Sequence, residues 1–545
     1  MQQPQRASEF NSAYAVAILI ILFFLTTATF LHGKLLIALG FFAPNPITAE
    51  IMFLQARFSG DMWTPAEKHA TYIFVAIMTF GILLLSVLAL RGRDWYRQYQ
   101  QSKLVEKRYS SAQGTAQWAD TKELKKLMGE DGVIIGYNKK IIQKSKPVRL
   151  SLKASCEHVA VIGPTGCGKT SAFFIPNLLQ LPDNTSCVVT DPKGEIEATV
   201  GDAMRARGWN VVAFCPMDKV HSAVYNPLAI ARDDTEIAEV SDIILRNGYS
   251  AAGQAGDTQW VNFAQPLWEA ALLIEIHKAF NEDRIPTIQG AYDFIISYTE
   301  SDRADIVSDI GGAALDKYLA YAQSIQSPET AASIKTVVVS SVKLFGRPDV
   351  ASVTQDGQIF DPSDLRKRPT AFFIQIPERK SSLLKPLSAT MYWQIIEHIL
   401  DLNGCPVVFF LDEFPNIGQI PSFAQLAATV RSRKISLNIG LQGVEQLSRE
   451  YSEKEQQDII NNMKTKIYYP GSSGESGTYF SNMAGYSTID FEKQKQRREL
   501  MTADELRRIP DGKVAVIAHN LNPVMLDTVP WFTDKKLCSM VPDNN

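Results

Sequence analysis

Residues 158–170, HVAVIGPTGCGKT, carry the most specific chemistry in this 545-residue chain. Gly163, Pro164, Thr165, Gly166, Cys167, Gly168, Lys169 and Thr170 fit the pattern G-x-x-x-x-G-K-[ST]. In such a loop the glycines let backbone N–H groups wrap phosphates, and the helix that follows adds its amino-terminal dipole. Lys169 is then expected to reach the β- and γ-phosphates, and the Thr170 hydroxyl to ligate Mg²⁺. The cofactors implied are ATP and Mg²⁺. An apolar run before the loop and a helical run after it separate the motif from an ordinary glycine turn. Pro176 falls early in that helix and is expected to bend it.

Hydrolysis needs an acid at a neighbouring strand tip, and two runs supply one. Asp191 ends "CVVTD", and Asp412 with Glu413 ends "VVFFLDE". The first acid of such a pair holds the Mg²⁺ water shell. An adjacent glutamate can take a proton from the attacking water. Only the second run offers both, so Asp412 is expected at the metal and Glu413 as the base. Asp191 is the alternative, although "DPKGE" also reads as a turn at a strand end. Gln442 ends the next apolar strand and could face the γ-phosphate. Arg431, in "RSRK", could serve a neighbouring subunit's site as an arginine finger, or belong to a solvated charge cluster.

These residues need elements to hold them. "HVAVIG", "SCVVTD" and "WNVVAFCP" are short apolar runs separated by helical stretches, which predicts a parallel sheet flanked by helices. Strand-like runs return at "TAFFIQIP", "PVVFFLDEF", "SLNIGLQ", "KIYYP" and "KVAVIAH". Between them, residues 232–335 have helical period, with 7 basic and 17 acidic residues. The chain carries −3 overall, so an acidic helical insertion at −10 leaves +7 elsewhere. The six cysteines include no C-x-x-C pair, which argues against a zinc site and suits a reducing compartment.

Two uncharged apolar segments, 13–31 and 70–90, each approach the roughly 20 residues that cross a bilayer. The first lacks the basic start and small-residue exit of a cleaved signal. Arg91, Arg93, Arg97, Lys103, Lys107 and Arg108 follow the second, so the positive-inside rule puts everything after residue 91 in the cytoplasm. Residues 32–69 would form a hairpin on the far side, and residues 94–130 a polar stalk.

The motifs "GTAQWAD", "GPTGCGKT", "IPNLL", "TDPKGE", "YNPL", "FLDEFPNIGQIP" and "LQGVEQL" run in this order along the chain. With the two spans, the sequence resembles the coupling-protein ATPases of type IV secretion systems, the TraG/TrwB-like family, over nearly its whole length. The resemblance implies an α/β fold: a RecA-like P-loop ATPase domain interrupted by an acidic all-α domain and preceded by two transmembrane helices. The expected boundaries are a membrane anchor and stalk at 1–110, the nucleotide-binding domain at 111–229 and 336–545, and the inserted all-alpha domain at 230–335. The resemblance also implies a multi-pass inner-membrane protein that forms a homo-hexamer. Nucleotide would sit between subunits, which gives Arg431 its role. Substrates would be recruited at the all-alpha domain and passed to the channel components of the secretion system. The sequence ends at Asn545, soon after the last apolar strand, without the long tail some members use. Recruitment is then expected to fall to the insertion.

Two cargo readings differ in their chemistry. A pump for relaxase-bound single-stranded DNA wants basic residues tracking the backbone. Lys493, Lys495, Arg497 and Arg498 in "EKQKQRRE" are candidates, and a solvated basic helix is the plainer reading. A receptor for protein effectors only, its ATPase gating channel assembly without DNA translocation, fits the acidic insertion. Asp233, Asp234, Glu236, Glu239 and Asp242 cluster at its start, and at helical spacing several are expected on one exposed face that attracts a basic protein segment. A third possibility is a membrane scaffold whose ATPase only gates assembly.

Overall fold

In the computed structural model, the strand that precedes the phosphate loop lies deep inside a wide sheet. The structure describes residues 27–79 and 114–541, apart from 28, 41, 60–61, 66, 77, 120, 139–145, 219, 254–258, 326, 356, 473 and 492–493. The chain divides into two units, residues 1–109 and 110–545.

In the first unit a helix, Pro46–Phe58, starts on Asn45, whose side chain accepts the Thr48 amide. Leu36, Ala49, Phe53 and Ala70 form its small core. His32 Nδ1 lies 2.7 Å from Glu50 Oε2. The two expected spans fall largely outside the described residues. Among the described residues no helix is long and apolar enough to cross a membrane.

The second unit is built on these strands: β1 (Ile134–Asn138), β2 (Lys146–Arg149), β3 (Val159–Ile162), β4 (Ser186–Thr190), β5 (Asn210–Phe214), β6 (Thr370–Ile374), β7 (Val407–Leu411), β8 (Ile435–Leu441), β9 (Thr465–Tyr468), β10 (Tyr486–Phe491), β11 (Gln494–Glu499), β12 (Lys513–Ala518) and β13 (Val524–Asp527). Among the described residues, eleven of them make one sheet in the order β2-β1-β13-β12-β9-β3-β8-β7-β4-β6-β5. From β9 to β5 every pairing is parallel. β3, β4, β6, β7 and β8 are buried along their whole length, as their continuous apolar runs require in a sheet covered on both faces. β12, β13, β1 and β2 extend the sheet as an antiparallel wing. The alternation of strands and helices predicts the parallel part alone; the wing is two local hairpins, β1–β2 and β12–β13, joined to each other and to β9 by pairings between strands distant in sequence.

Between β5 and β6 the described chain is helical: Asp234–Ala251, Gln259–Asn281, Ile288–Ser297, Glu300–Ile310, Gly312–Ser324, Pro328–Val342 and Pro348–Thr354. Starts are marked by side-chain caps at Asp233, Thr287, Thr299 and Ser327. Trp268 and Tyr321 are buried at its centre. Helix Asp234–Ala251 and helix Pro328–Val342 approach so closely at Gly248 that an added Cβ would stand 2.1 Å from the Ser341 carbonyl oxygen.

The acidic face at the start of this region is partly consumed by folding. Asp233 caps its helix, accepting from the Glu236 amide. Glu236 is buried, with Arg232 Nε at 2.8 Å and His398 Nε2 at 2.6 Å. Burial alone would raise its carboxyl, but His398 and Arg232 outweigh it and hold the group down at about 2. Asp242 pairs with Arg246. Asp233, Asp234 and Glu239 remain exposed. Of the five clustered acids three therefore stay open to solvent, because helical period places Glu236 against helix Ser381–Leu400 and Asp242 is taken by Arg246.

The basic run is no helix. Gln494–Glu499 pairs antiparallel with Tyr486–Phe491 as a separate hairpin. Arg497 lies over the Tyr486 ring, 3.5 Å from its centroid, and Arg498 is paired with Glu505. Lys493 lies outside the described residues.

Candidate nucleotide site at the carboxyl edge of the sheet

The loop 163–170 leaves the carboxyl end of β3, the edge where open α/β sheets place their ligands. It is pinned at its start by the Gly163 amide, which donates to the Leu441 carbonyl at 3.0 Å. At its end the chain enters a π-helical turn, Thr170–Phe174, in which the Ile175 amide reaches back five residues to Thr170 O. Helix Ile175–Leu179 follows, with Pro176 in its first turn. Pro176 has no N–H to donate four residues back, so the expected bend appears as this wider turn.

Lys169 is buried. Its Nζ donates to the Gly163 carbonyl at 2.6 Å and stands 3.9 Å from Glu413 Oε1. The Thr170 hydroxyl donates to Asp412 Oδ2 at 2.9 Å. Gln442 Nε2 donates to Glu413 Oε2 at 3.1 Å. Lys169, Thr170, Asp412, Glu413 and Gln442 thus come together although they are spread over 274 residues of chain. β8 lies between β3 and β7, and its Gly440 is what lets Asp412 in: a Cβ there would stand 2.8 Å from Asp412 Oδ1. Burial raises the carboxyls of both Asp412 and Glu413, against the opposing charge of Lys169. Glu413 also takes a left-handed backbone, φ 53°, which turns the chain out of β7 at the site.

Asp191 does something different. Its oxygens accept the amides of Ile196 at 3.2 Å and Glu197 at 2.8 Å, so it caps helix Glu195–Ala206. It still lines the same cleft of about 320 Å³, with Pro164, Lys169, Thr170, Asp412 and Glu413.

Residues 117–545 match the family described as Type IV secretory system Conjugative DNA transfer. The chain belongs to this family. It is 26% identical over 412 residues to the conjugal transfer protein TraG of Escherichia coli, covering 66% of this chain and 62% of that one. It is 24% identical over 419 residues to protein VirD4 of Rhizobium radiobacter, covering 70% and 58%. The chain therefore spans about three fifths of the length of these two curated relatives. Among solved structures it is similar to the plasmid coupling protein TrwB in complex with ADP and Mg²⁺, with TM-score 0.60 and 18% identity, covering 78% of this chain and 94% of that one. TrwB in complex with the non-hydrolysable ATP analogue ADPNP gives the same score and identity. The fold is the mixed α/β, RecA-like one of TrwB.

Within the family fold, Arg431 stands apart from the phosphate loop of its own chain. It begins the turn Arg431–Arg433 just before β8, at the amino end of a strand that runs parallel to β3. There it pairs with Glu157. Lys193 and Glu378 also line the cleft and are not among the expected site residues. Lys193 lies inside "DPKGE", which also reads as a turn. Glu378 begins the turn Glu378–Lys380 after β6, and its signal is its place at the carboxyl end of a buried strand.

Proposed function

We propose that this chain is the inner-membrane ATPase of a conjugative type IV secretion system, recruiting relaxase-bound single-stranded DNA and driving its delivery to the secretion channel. The observation that carries the reading is the convergence of Lys169, Thr170, Asp412, Glu413 and Gln442 at one sheet edge. ATP and Mg²⁺ fit this donor set: the Thr170 hydroxyl and Asp412 carboxylate are hard oxygen ligands suited to Mg²⁺, and residues 163–170 form the phosphate cradle. When bound, Mg²⁺ neutralises phosphate charge. Lys169 adds positive charge at the β- and γ-phosphates. Glu413 accepts a proton from water, and Gln442 holds the Glu413 carboxylate in place.

The remaining features belong to the same reading. Segments 13–31 and 70–90 anchor the chain as a multi-pass protein, with the ATPase domain in the cytoplasm. Six copies form a ring, and Arg431 of each serves the site of the next. The helical region between β5 and β6 recruits substrate, with Asp233, Asp234 and Glu239 as its exposed acids attracting a basic protein segment.

Lys169→Ala tests the reading. Purified full-length variant should lose ATP turnover, and a mating assay should show no DNA transfer. Normal turnover would exclude 163–170 as the working site. Loss of turnover with transfer of protein effectors but not DNA in the wild type would favour the protein-only receptor.

A further inference from the structure

We infer that Glu157 is a positioning residue for Arg431, so that the strand carrying one subunit's phosphate loop also sets the arginine which that subunit presents to the next. The inference rests on the trans-arginine reading above and extends it to a residue outside every motif. Glu157 lies two residues before the amino end of β3, and Gly163 follows its carboxyl end. One Glu157 oxygen takes Arg431 Nη2, and the other lies 2.7 Å from His519 Nδ1. The Glu157 backbone is held as well: its carbonyl accepts the Lys464 amide at 2.9 Å and its amide donates to Ala154 O at 3.2 Å.

The exposures differ in a way that assigns the roles. The Glu157 side chain is 11% exposed and that of Arg431 50%. Glu157 is thus the fixed partner, and Arg431 the reaching one. A guanidinium has five N–H donors, so a carboxylate at one nitrogen leaves others for an anion. An exposed arginine samples many rotamers, and restricting them beforehand removes part of the ordering entropy lost on contact across a subunit boundary. His519, half-buried beside the second oxygen, leaves the carboxylate little room to turn away from Arg431.

The test is a double-mutant cycle on the full-length protein in detergent, reading kcat and KM for ATP in Glu157→Gln, Arg431→Ala and the double variant. Glu157→Gln should lower kcat about tenfold, the lower end for a partner that orients a functional side chain, with KM unchanged. In the Arg431→Ala background it should have no further effect. Glu157→Asp should recover part of the loss, and thermal unfolding should show that all variants are folded. Losses that multiply in the double variant would overturn the inference while leaving the role of Arg431 intact. Wild-type turnover in Glu157→Gln would do the same. Wild-type turnover in Arg431→Ala would overturn the trans-arginine reading itself, and this inference with it.

Discussion

Glu413 and Asp191 are both acids at the tips of buried parallel strands, yet their surroundings give them different work. Asp191 spends both oxygens on the amides of Ile196 and Glu197. Glu413 faces Lys169 and Gln442. Glu413→Gln should therefore keep ATP binding while kcat falls by roughly 10²–10⁴-fold, the range for a lost general base. Asp191→Asn should cost mainly stability, about 1 kcal/mol, because the amide keeps one of the two acceptors used by Ile196 and Glu197. Steady-state ATPase assays on both variants decide this; the reverse ranking would transfer the catalytic role to Asp191. The pH profile follows from the same burial. Glu413 must be ionised to act, and its carboxyl is raised. The acid limb of kcat/KM, which reports the free enzyme, should thus lie above the usual carboxylate range, with activity rising as pH rises through it. The neighbouring charge of Asp412 adds to the rise.

At the scale of elements, the site depends on how β8 sits between β3 and β7. Gly440→Ala would drive a methyl group against Asp412 Oδ1 and within 3.2 Å of Phe174 Cζ. Overpacking of this kind costs about 1–3 kcal/mol, and here it also pushes Asp412 away from Thr170. The expected outcome is a lowered unfolding midpoint together with a raised Mg²⁺ requirement, measured by titrating Mg²⁺ in the ATPase assay. A variant with unchanged Mg²⁺ dependence would show that Asp412 is not held by this packing. His158 ties the same strands at their other end. Its Nε2 lies 2.7 Å from Ala427 O, and its Nδ1 accepts the Leu437 amide at 3.1 Å, so the ring is neutral and donates from Nε2. Burial lowers its pKa to about 4 from an ordinary 6.5. The unfolded chain binds the proton more readily, so stability is full above the ordinary value and is lost as pH falls from there towards 4. The loss amounts to about 3 kcal/mol. Urea midpoints at pH 7 and pH 5 should differ, and His158→Gln should reduce that difference.

For the whole molecule, the proposal requires subunits that complete one another's sites. Removing residues 1–92 should give a soluble, mostly monomeric protein with weak ATPase activity, because membrane anchoring raises the local concentration of subunits. Light scattering and activity against concentration would measure both effects. In the full chain, Arg431→Ala should bind ATP and lose turnover by about 10³-fold or more. Mixing it with Lys169→Ala subunits should restore some activity, since the loop of one and the arginine of the other make an intact site. Mixed preparations as inactive as their parents would count against a shared site.

Much of this site was legible in the sequence because its chemistry is local. The loop 163–170 is contiguous, and "VVFFLDE" places two acids at a strand end whatever the neighbouring strands are. Apolar runs separated by helical stretches likewise announce a parallel sheet, since strands buried on both faces need apolar residues at every position. Strand order is another matter. That β8 and β7 separate β3 from β4 is decided by packing across hundreds of residues, and only this order sets Asp412 beside Thr170. The same holds where charge was counted but not placed. Glu236 reads as one acid of an exposed cluster until helix Ser381–Leu400 buries it against His398. Arg431 and Glu157 are 274 positions apart and become partners only because β3 and β8 run side by side. Composition and period report which side chains a chain owns; long-range pairing determines which of them meet and which stay in water.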